Sequence, residues 1–295
     1  MRLATYASVS TAVTLIVVKL GAWLLTDSIS LLSTLIDSIL DAAASVVSLL
    51  AVRHALTPAD QEHRFGHGKA EPLAALGQAA FITGSAIFIM IEAVNLLLNP
   101  RPIQNAPIGI AVMVFSILAT SALVLFQRYV VRRTRSVVIK ADSLHYLGDL
   151  LVNAAVIVAL LAATELGWRA LDPVFAIGIA AYILYTAWTI AQESLHMLMD
   201  RELPDEERAR ITRIVLAHAE VLDMHDLRTR MAGPQTFIQL HLELNGDLSL
   251  WDAHTISDQV EAELRAAFPG AEVIIHEDPH GVVEPRARFG GNATP

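Results

Sequence analysis

Asp37 and Asp41 stand four residues apart in one long apolar segment, and His145 and Asp149 stand four apart in another. That spacing puts both members of a pair on one helix face, with Cβ atoms about 5–6 Å apart, so two facing helices can offer four ligands to one cation. An ionised side chain at the centre of a membrane helix costs about 2.5–3.5 kcal/mol on insertion scales, so three unpaired carboxylates would cost roughly 8–10 kcal/mol. A divalent cation, or protons in its place, offsets that cost. One imidazole with three carboxylates is a four-coordinate set suited to Zn²⁺ and compatible with Cd²⁺, Fe²⁺, Mn²⁺ or Co²⁺. Such a site binds metal only when deprotonated, so metal and protons compete for the same groups, which is the logic of antiport. His145 is the expected proton carrier, because imidazole titrates nearest neutrality. The plainer alternative pairs each polar residue with a neighbour, Asp149 with Lys140 or Ser143 for example. Four ionisable groups at matched depth favour a cation pathway.

The elements that must hold these residues are membrane helices. The chain has 295 residues, 54% of them hydrophobic, and a mean hydropathy of +0.49, which is too apolar for an ordinary soluble domain. Six runs are long enough to cross a bilayer, about 20 residues each: 4–26, 28–53, 70–98, 107–131, 136–164 and 172–199. The first run, interrupted by Lys19, lacks a small-residue cleavage site before the next span and is expected to be a retained helix. The turns at Thr26–Asp27 and Gly167–Asp172 are short. Arg53, Arg64 and Lys69 flank the connection between spans 2 and 3; Arg128, Arg132, Arg133, Arg135 and Lys140 flank that between spans 4 and 5. The opposite side shows Arg101 and Arg169, so both termini are expected in the cytoplasm. Spans 2 and 5 then run in opposite directions, yet each pair falls near or modestly inside the midpoint of its own helix. The two pairs therefore meet at similar depth.

Acidity concentrates after residue 200. Residues 1–200 hold 12 Lys/Arg against 13 Asp/Glu, and residues 201–295 hold 9 against 17, a tail of net charge −8. The expected division is a transmembrane domain over 1–200, a cytoplasmic metal-binding and dimerisation domain over 201–283 and a flexible end over 284–295. Within the tail, Pro204–Glu220 reads as a helix, Val221–Thr229 and Thr236–Leu244 as strands, Leu250–Phe268 as a helix and Ala271–His276 as a third strand. The fold class is thus a polytopic α-helical membrane protein with six spans plus a small α-β-β-α-β domain.

With no cysteine, thiolate sites and disulfides are excluded and imidazole and carboxylate remain as ligands. Asp60, His63 and His67 fall at i, i+3, i+7 in the connection after span 2, a pattern equally compatible with a solvated loop. The tail holds His225, His241, His254, His276 and Asp278, with His280 nearby, readable as exposed strand residues or as a metal cluster. No zinc-protease helix and no phosphate-binding loop occurs, so neither a metalloprotease nor an ATP-driven pump is supported. The arginines at 132–135 reflect topology rather than nucleic-acid binding, given the acidic tail.

The runs Leu35-Ile-Asp37-Ser-Ile-Leu-Asp41, Phe65-Gly-His67-Gly-Lys69-Ala-Glu71 and Ala141-Asp-Ser-Leu-His145-Tyr-Leu-Gly-Asp149 resemble the signatures of cation diffusion facilitators. The tail segments His225-Asp-Leu-Arg-Thr-Arg230 and Ile274-Ile-His276-Glu-Asp278-Pro279 are similar to the bacterial branch that expels zinc and ferrous iron. The resemblance implies a homodimer of six-helix protomers in the inner membrane, exchanging Zn²⁺ for protons by alternating access, and not an enzyme. It assigns Asp37, Asp41, His145 and Asp149 to the transport site and Asp60, His63 and His67 to a loop site. It assigns His225, His241, His254, His276 and Asp278 to a two-metal cytoplasmic site bridged by Asp278. It also implies an ion pair between Lys69 and Asp200 at the membrane boundary. Asp rather than His at 37 is similar to the less zinc-exclusive members, which leaves Fe²⁺ and Cd²⁺ open as substrates, and His280 falls outside the pattern.

Two readings compete with transport. A membrane-anchored metal sensor would use the tail alone and has no need of matched intramembrane carboxylates. An intramembrane metal-dependent hydrolase needs an open coordination position, against which four protein ligands argue.

Overall fold

The computed structural model describes residues 1–26, 29–98, 107–166 and 171–282. Asp27, Arg101, Arg169 and the expected flexible end at 284–295 lie outside the described residues. The chain forms two compact units, one over Met1–His196 and one over Met197–Pro295.

The first unit consists of α1 (Arg2–Thr26), α2 (Ile29–Ala55), α3 (Ala70–Leu98), α4 (Pro107–Thr134), α5 (Val137–Leu166) and α6 (Leu171–Leu198). Each has 25 to 30 residues, more than the roughly 20 needed to cross hydrocarbon. Five have the apolarity of a membrane span over their described residues. α5 carries Lys140, Asp142 and Asp149 in its first half. Large apolar side chains such as Phe88, Leu118, Leu125 and Trp188 face outward, while Ser8, Ser45, Ala79, Ala86 and Gln127 are buried. This inversion of the soluble pattern follows from a lipid solvent: helices approach through small residues, and polar groups must find partners inside the bundle.

Those partners bolt the helices together. Ser8 Oγ on α1 and Gln127 Nε2 on α4 each donate to Asp142 Oδ2 on α5 at 2.6 Å. Ser45 on α2 and the Tyr146 hydroxyl on α5 are 2.8 Å apart, and Gln78 Nε2 on α3 donates to Ser48 Oγ on α2 at 2.5 Å. Glu71, at the start of α3, accepts from the Val137 N–H at 2.8 Å and so caps the first turn of α5. Lys140 on α5 pairs with Glu193 on α6 rather than with Asp149. The link from α4 to α5 is a two-residue turn in which Arg135 takes φ 53°, a left-handed conformation that ends α4.

The second unit contains α7 (Asp205–Leu216), β1 (Asp223–Ala232), β2 (Gln235–Leu244), α8 (Leu250–Ala267) and β3 (Glu272–Pro279). β1 pairs antiparallel with β2, and β3 returns through α8 to pair parallel with β2. Alternation along β2 sends Ile238, Leu240, Leu242 and Leu244 to one face, where they pack with Ile211 and Val215 of α7 and Ile256, Val260 and Leu264 of α8. Ser249 caps α8 by accepting from the Asp252 N–H at 3.2 Å.

Three boundaries in the tail differ from the sequence reading. β1 starts at Asp223 and runs past Thr229 to Ala232, where Arg230, Met231 and Ala232 still pair with Phe237, Thr236 and Gln235. α7 stops at Leu216, because Ala217 already closes the helix onto the carbonyls of Arg213 and Ile214. β3 runs beyond His276 to Pro279, since Glu243 and Leu244 of β2 pair with Asp278 and Pro279. Strand propensity ends earlier than the pairing does.

Leu242 is fully buried at the centre of this core. Leu242→Ala is expected to destabilise the tail by about 2–5 kcal/mol. Hydrogen exchange at β2 amides in the full-length chain measures this, and protection equal to wild type refutes the packing described.

Candidate metal centres

Three groups of potential ligands converge in the structure. Within the membrane unit, α2 and α5 face each other so that His145 Nε2 lies 2.9 Å from Asp41 Oδ1 and 3.9 Å from Asp149 Oδ2. One ligand atom from each of the three residues lies within 4.8 Å of the others. The imidazole is buried, with its edge against Phe81 at a ring separation of 5.8 Å. Asp37 is exposed on the wall of the same cavity, outside that trio. The cavity has a volume of about 640 Å³ and is also lined by Lys19 and Tyr146. Gly148, beside Asp149, permits the close approach of α6: a Cβ there would stand 3.0 Å from Ile183 Cδ1. The i, i+4 spacing therefore delivers a three-ligand cluster with a fourth carboxylate on the adjacent wall. Residues four apart on a helix differ by about 6 Å in height, so a second helix crossing at Asp41 does not reach both equally.

In the loop between α2 and α3, Asp60 organises a turn. Its Oδ1 accepts from the N–H of His63 at 2.6 Å and of Glu62 at 2.9 Å, and Oδ2 lies 3.3 Å from His67 Nε2. The His63 N–H, followed by that of Glu62, holds the Asp60 carboxyl below the usual carboxylate range. His63 Nδ1 is 3.4 Å from Asp60 Oδ1, so all three predicted loop residues cluster. His54 was missed by sequence reasoning. It leaves the last turn of α2 with its ring 4.5 Å from that of His67, and no spacing rule connects it to the loop.

On the sheet, strand register places His225, His241 and His276 in a single row across β1, β2 and β3. Neighbouring rings are 5.0 and 4.6 Å apart. Asp278, 6% exposed, presents Oδ2 to His241 Nδ1 at 2.7 Å and to His225 Nε2 at 3.5 Å, and Oδ1 to His276 Nε2 at 3.2 Å. Two carboxylate oxygens aimed at different imidazoles are the arrangement a bridging ligand needs. A bulge between His225 and Arg228, with Asp226 at φ 48°, bends β1 beside this row. His254 is not part of the cluster. It stands exposed on α8, 3.6 Å from Asp258, because α8 spends its buried face on Ile256, Val260 and Leu264.

Glu243 joins this site although it was not among the predicted ligands. Its Oε1 is 3.2 Å from His225 Nδ1 and its Oε2 is 2.9 Å from His280 Nδ1. The signal for it was present: Glu243 follows His241 by two residues on a strand and so shares its face. His280 shares that face too, two residues past Asp278, and its N–H continues the ladder to the Leu244 oxygen at 2.8 Å. At the start of this unit Asp200, with φ 56°, accepts from Arg230 Nη1 at 3.2 Å. Lys69 belongs to the membrane unit, next to His67 and Gly68.

Comparison with known proteins accords with this geometry. Residues 5–199 match the family described as the cation efflux transmembrane domain, and residues 203–280 match the cation efflux protein cytoplasmic domain. The cation-efflux pump FieF of Klebsiella pneumoniae is 48% identical over 287 residues, covering 97% of this chain and 95% of that protein. The pump of the same name from Shewanella oneidensis is 50% identical over 279 residues, covering 95% and 94%. The metal-bound C-terminal domain of the CzcD transporter from Thermotoga maritima is 28% identical, with a TM-score of 0.26, and covers 28% of this chain and all of that one. The chain belongs to the cation efflux family of multi-pass membrane transporters, the cation diffusion facilitators.

Proposed function

We propose that this transporter exports cytoplasmic Zn²⁺ across the inner membrane in exchange for protons, with Fe²⁺ or Cd²⁺ as further substrates. The observation that carries the reading is the convergence of Asp41, His145 and Asp149 on an intramembrane cavity, with Asp37 on its wall. Imidazole and carboxylate oxygen are ordinary zinc donors, and every one of them must shed its proton to bind metal. A pathway that opens alternately to the two sides then converts inward proton flow into outward metal flow. Both termini are cytoplasmic in this reading, as the Lys and Arg flanks favour.

The tail acts as the metal-dependent contact of a homodimer. Neutralising Asp278, and Glu243 beside it, stabilises an acidic domain that would otherwise repel its copy. His225, His241, His276 and Asp278 hold metal there, and His254 completes the set once the tails are apposed. The loop of Asp60, His63 and His67 holds a further ion near the cytoplasmic mouth. Lys69 and Asp200 serve as a charge pair at the membrane boundary, with Arg230 as a second cation on Asp200.

Asp149→Ala is expected to reduce zinc flux into proteoliposomes by at least about a hundredfold while leaving zinc bound by the tail unchanged. Flux and pH dependence that survive the substitution refute the transport assignment.

Acidifying the medium is expected to strip metal from the loop, because its ligands hold metal only when deprotonated. Protonation of Asp60 acts in the same direction but at lower pH. Its carboxyl is held low, so its hold on the turn persists above the ordinary carboxylate range and fails only as pH falls through the lowered value. Asp60→Asn should therefore weaken zinc binding by the loop throughout the range between pH 5 and 8, as zinc titration would show. Loop affinity equal to wild type across that range refutes Asp60 as a ligand.

Chelating the metal is expected to lower the thermal stability of the tail and loosen its self-association, by about 2.7 kcal/mol at a free metal level one hundred times Kd. Sedimentation of the purified protein with and without chelator checks this. Identical behaviour in both refutes a structural role for tail metal.

A further inference from the structure

Lys19 interrupts the apolar run of α1, and nothing in the metal constellations accounts for it. A lysine inside a membrane unit is expensive unless it meets a carboxylate or a cavity. Here it lines the cavity that holds Asp37, Asp41, His145 and Asp149. Its Nζ donates to the Thr34 backbone oxygen at 3.0 Å and to Ser38 Oγ at 2.6 Å. Those acceptors sit on the stretch of α2 from which Asp37 and Asp41 project. Both are neutral oxygens, so Nζ is tethered to α2 on the wall of the cavity that Asp37, Asp41 and Asp149 also line.

We propose that Lys19 is a built-in counter-charge of the transport cavity that sets how tightly the divalent cation is held, and hence how readily it is released. The charge balance supports this. Three ionised carboxylates around a divalent ion leave one negative charge in excess, and one ammonium cancels it. Without the ammonium, the metal-loaded cavity keeps a net negative charge and binds its cargo too tightly to turn over. The tether to Ser38 and Thr34 serves a second purpose. It keeps the ammonium from swinging onto Asp41 or Asp37 and occupying the metal's place.

The inference rests on the divalent-metal reading of this cavity. Its test uses the full-length protein in detergent with Zn²⁺ alone as probe, reading the binding component that Asp149→Asn removes, together with turnover in proteoliposomes. Lys19→Met removes charge and donor, Lys19→Gln keeps a donor without charge, and Lys19→Arg keeps both. A double charge and a single charge within one cavity repel by more than about a tenfold factor in binding. Lys19→Met and Lys19→Gln are therefore expected to bind zinc at least about tenfold tighter and to turn over more slowly, while Lys19→Arg stays near wild type. Unchanged or weaker binding in Lys19→Gln overturns the proposal, since a mere tie between α1 and α2 survives that substitution. If Lys19→Met does not fold, the contrast between Gln and Arg decides alone. Should Asp149→Asn remove no zinc component from the wild-type cavity, the metal reading itself falls and this inference falls with it.

Discussion

Carboxylates carried into a bilayer need positive charge at hand, and the rest of this molecule is arranged around the place where they find it. His145 on α5 touches Asp41 on α2 at 2.9 Å, and that contact fixes the two helices at the depth where Asp149 and Asp37 share their cavity. The helices are held there by hydrogen bonds rather than by apolar area, since lipid offers apolar side chains no reason to prefer one another. Ser45 with Tyr146 ties α2 to α5 within a turn of the site, and Glu71 ties α3 to the first turn of α5. Asp142, buried one turn below His145, draws α1 and α4 onto the same helix through Ser8 and Gln127. Among the described residues, α5 is thus tied by polar contacts to each of α1, α2, α3, α4 and α6.

The tail meets the same ligand chemistry in water and uses a different device. A three-stranded sheet has two faces, and its period of two assigns each residue to one of them. One face is spent on Leu240, Leu242 and the helices α7 and α8, which gives the domain its core. The other face is left for His241, Glu243, His276, Asp278 and His280, with His225 aligned by strand register. A single pairing decision between β2 and β3 therefore sets both the hydrophobic core and the metal row. A slip of one residue would destroy both at once.

Much of this was legible before the fold. The composition and the six apolar runs announced a membrane body, because about 20 apolar residues with internal hydrogen bonding is the length of chain a bilayer accepts. The i, i+4 pairs announced the intramembrane ligands, because helix periodicity is a local property. Strand alternation even put Glu243 on the face of His241, though its role beside His225 and His280 could not be read without knowing which residues stand across from it. Lys19 was visible only as an interruption in an apolar run.

What sequence alone determined was periodicity and expense: which residues share a helix or strand face, and which groups are too costly in lipid to be there without purpose. Tertiary structure decided which faces meet. It brought Asp41, His145 and Asp149 together and left Asp37 on the wall, placed Lys19 against Ser38, added His54 to the loop and kept His254 on the outside of α8. These are contacts between residues distant along the chain. They depend on crossing angles and strand register, which arise only when all the elements pack at once.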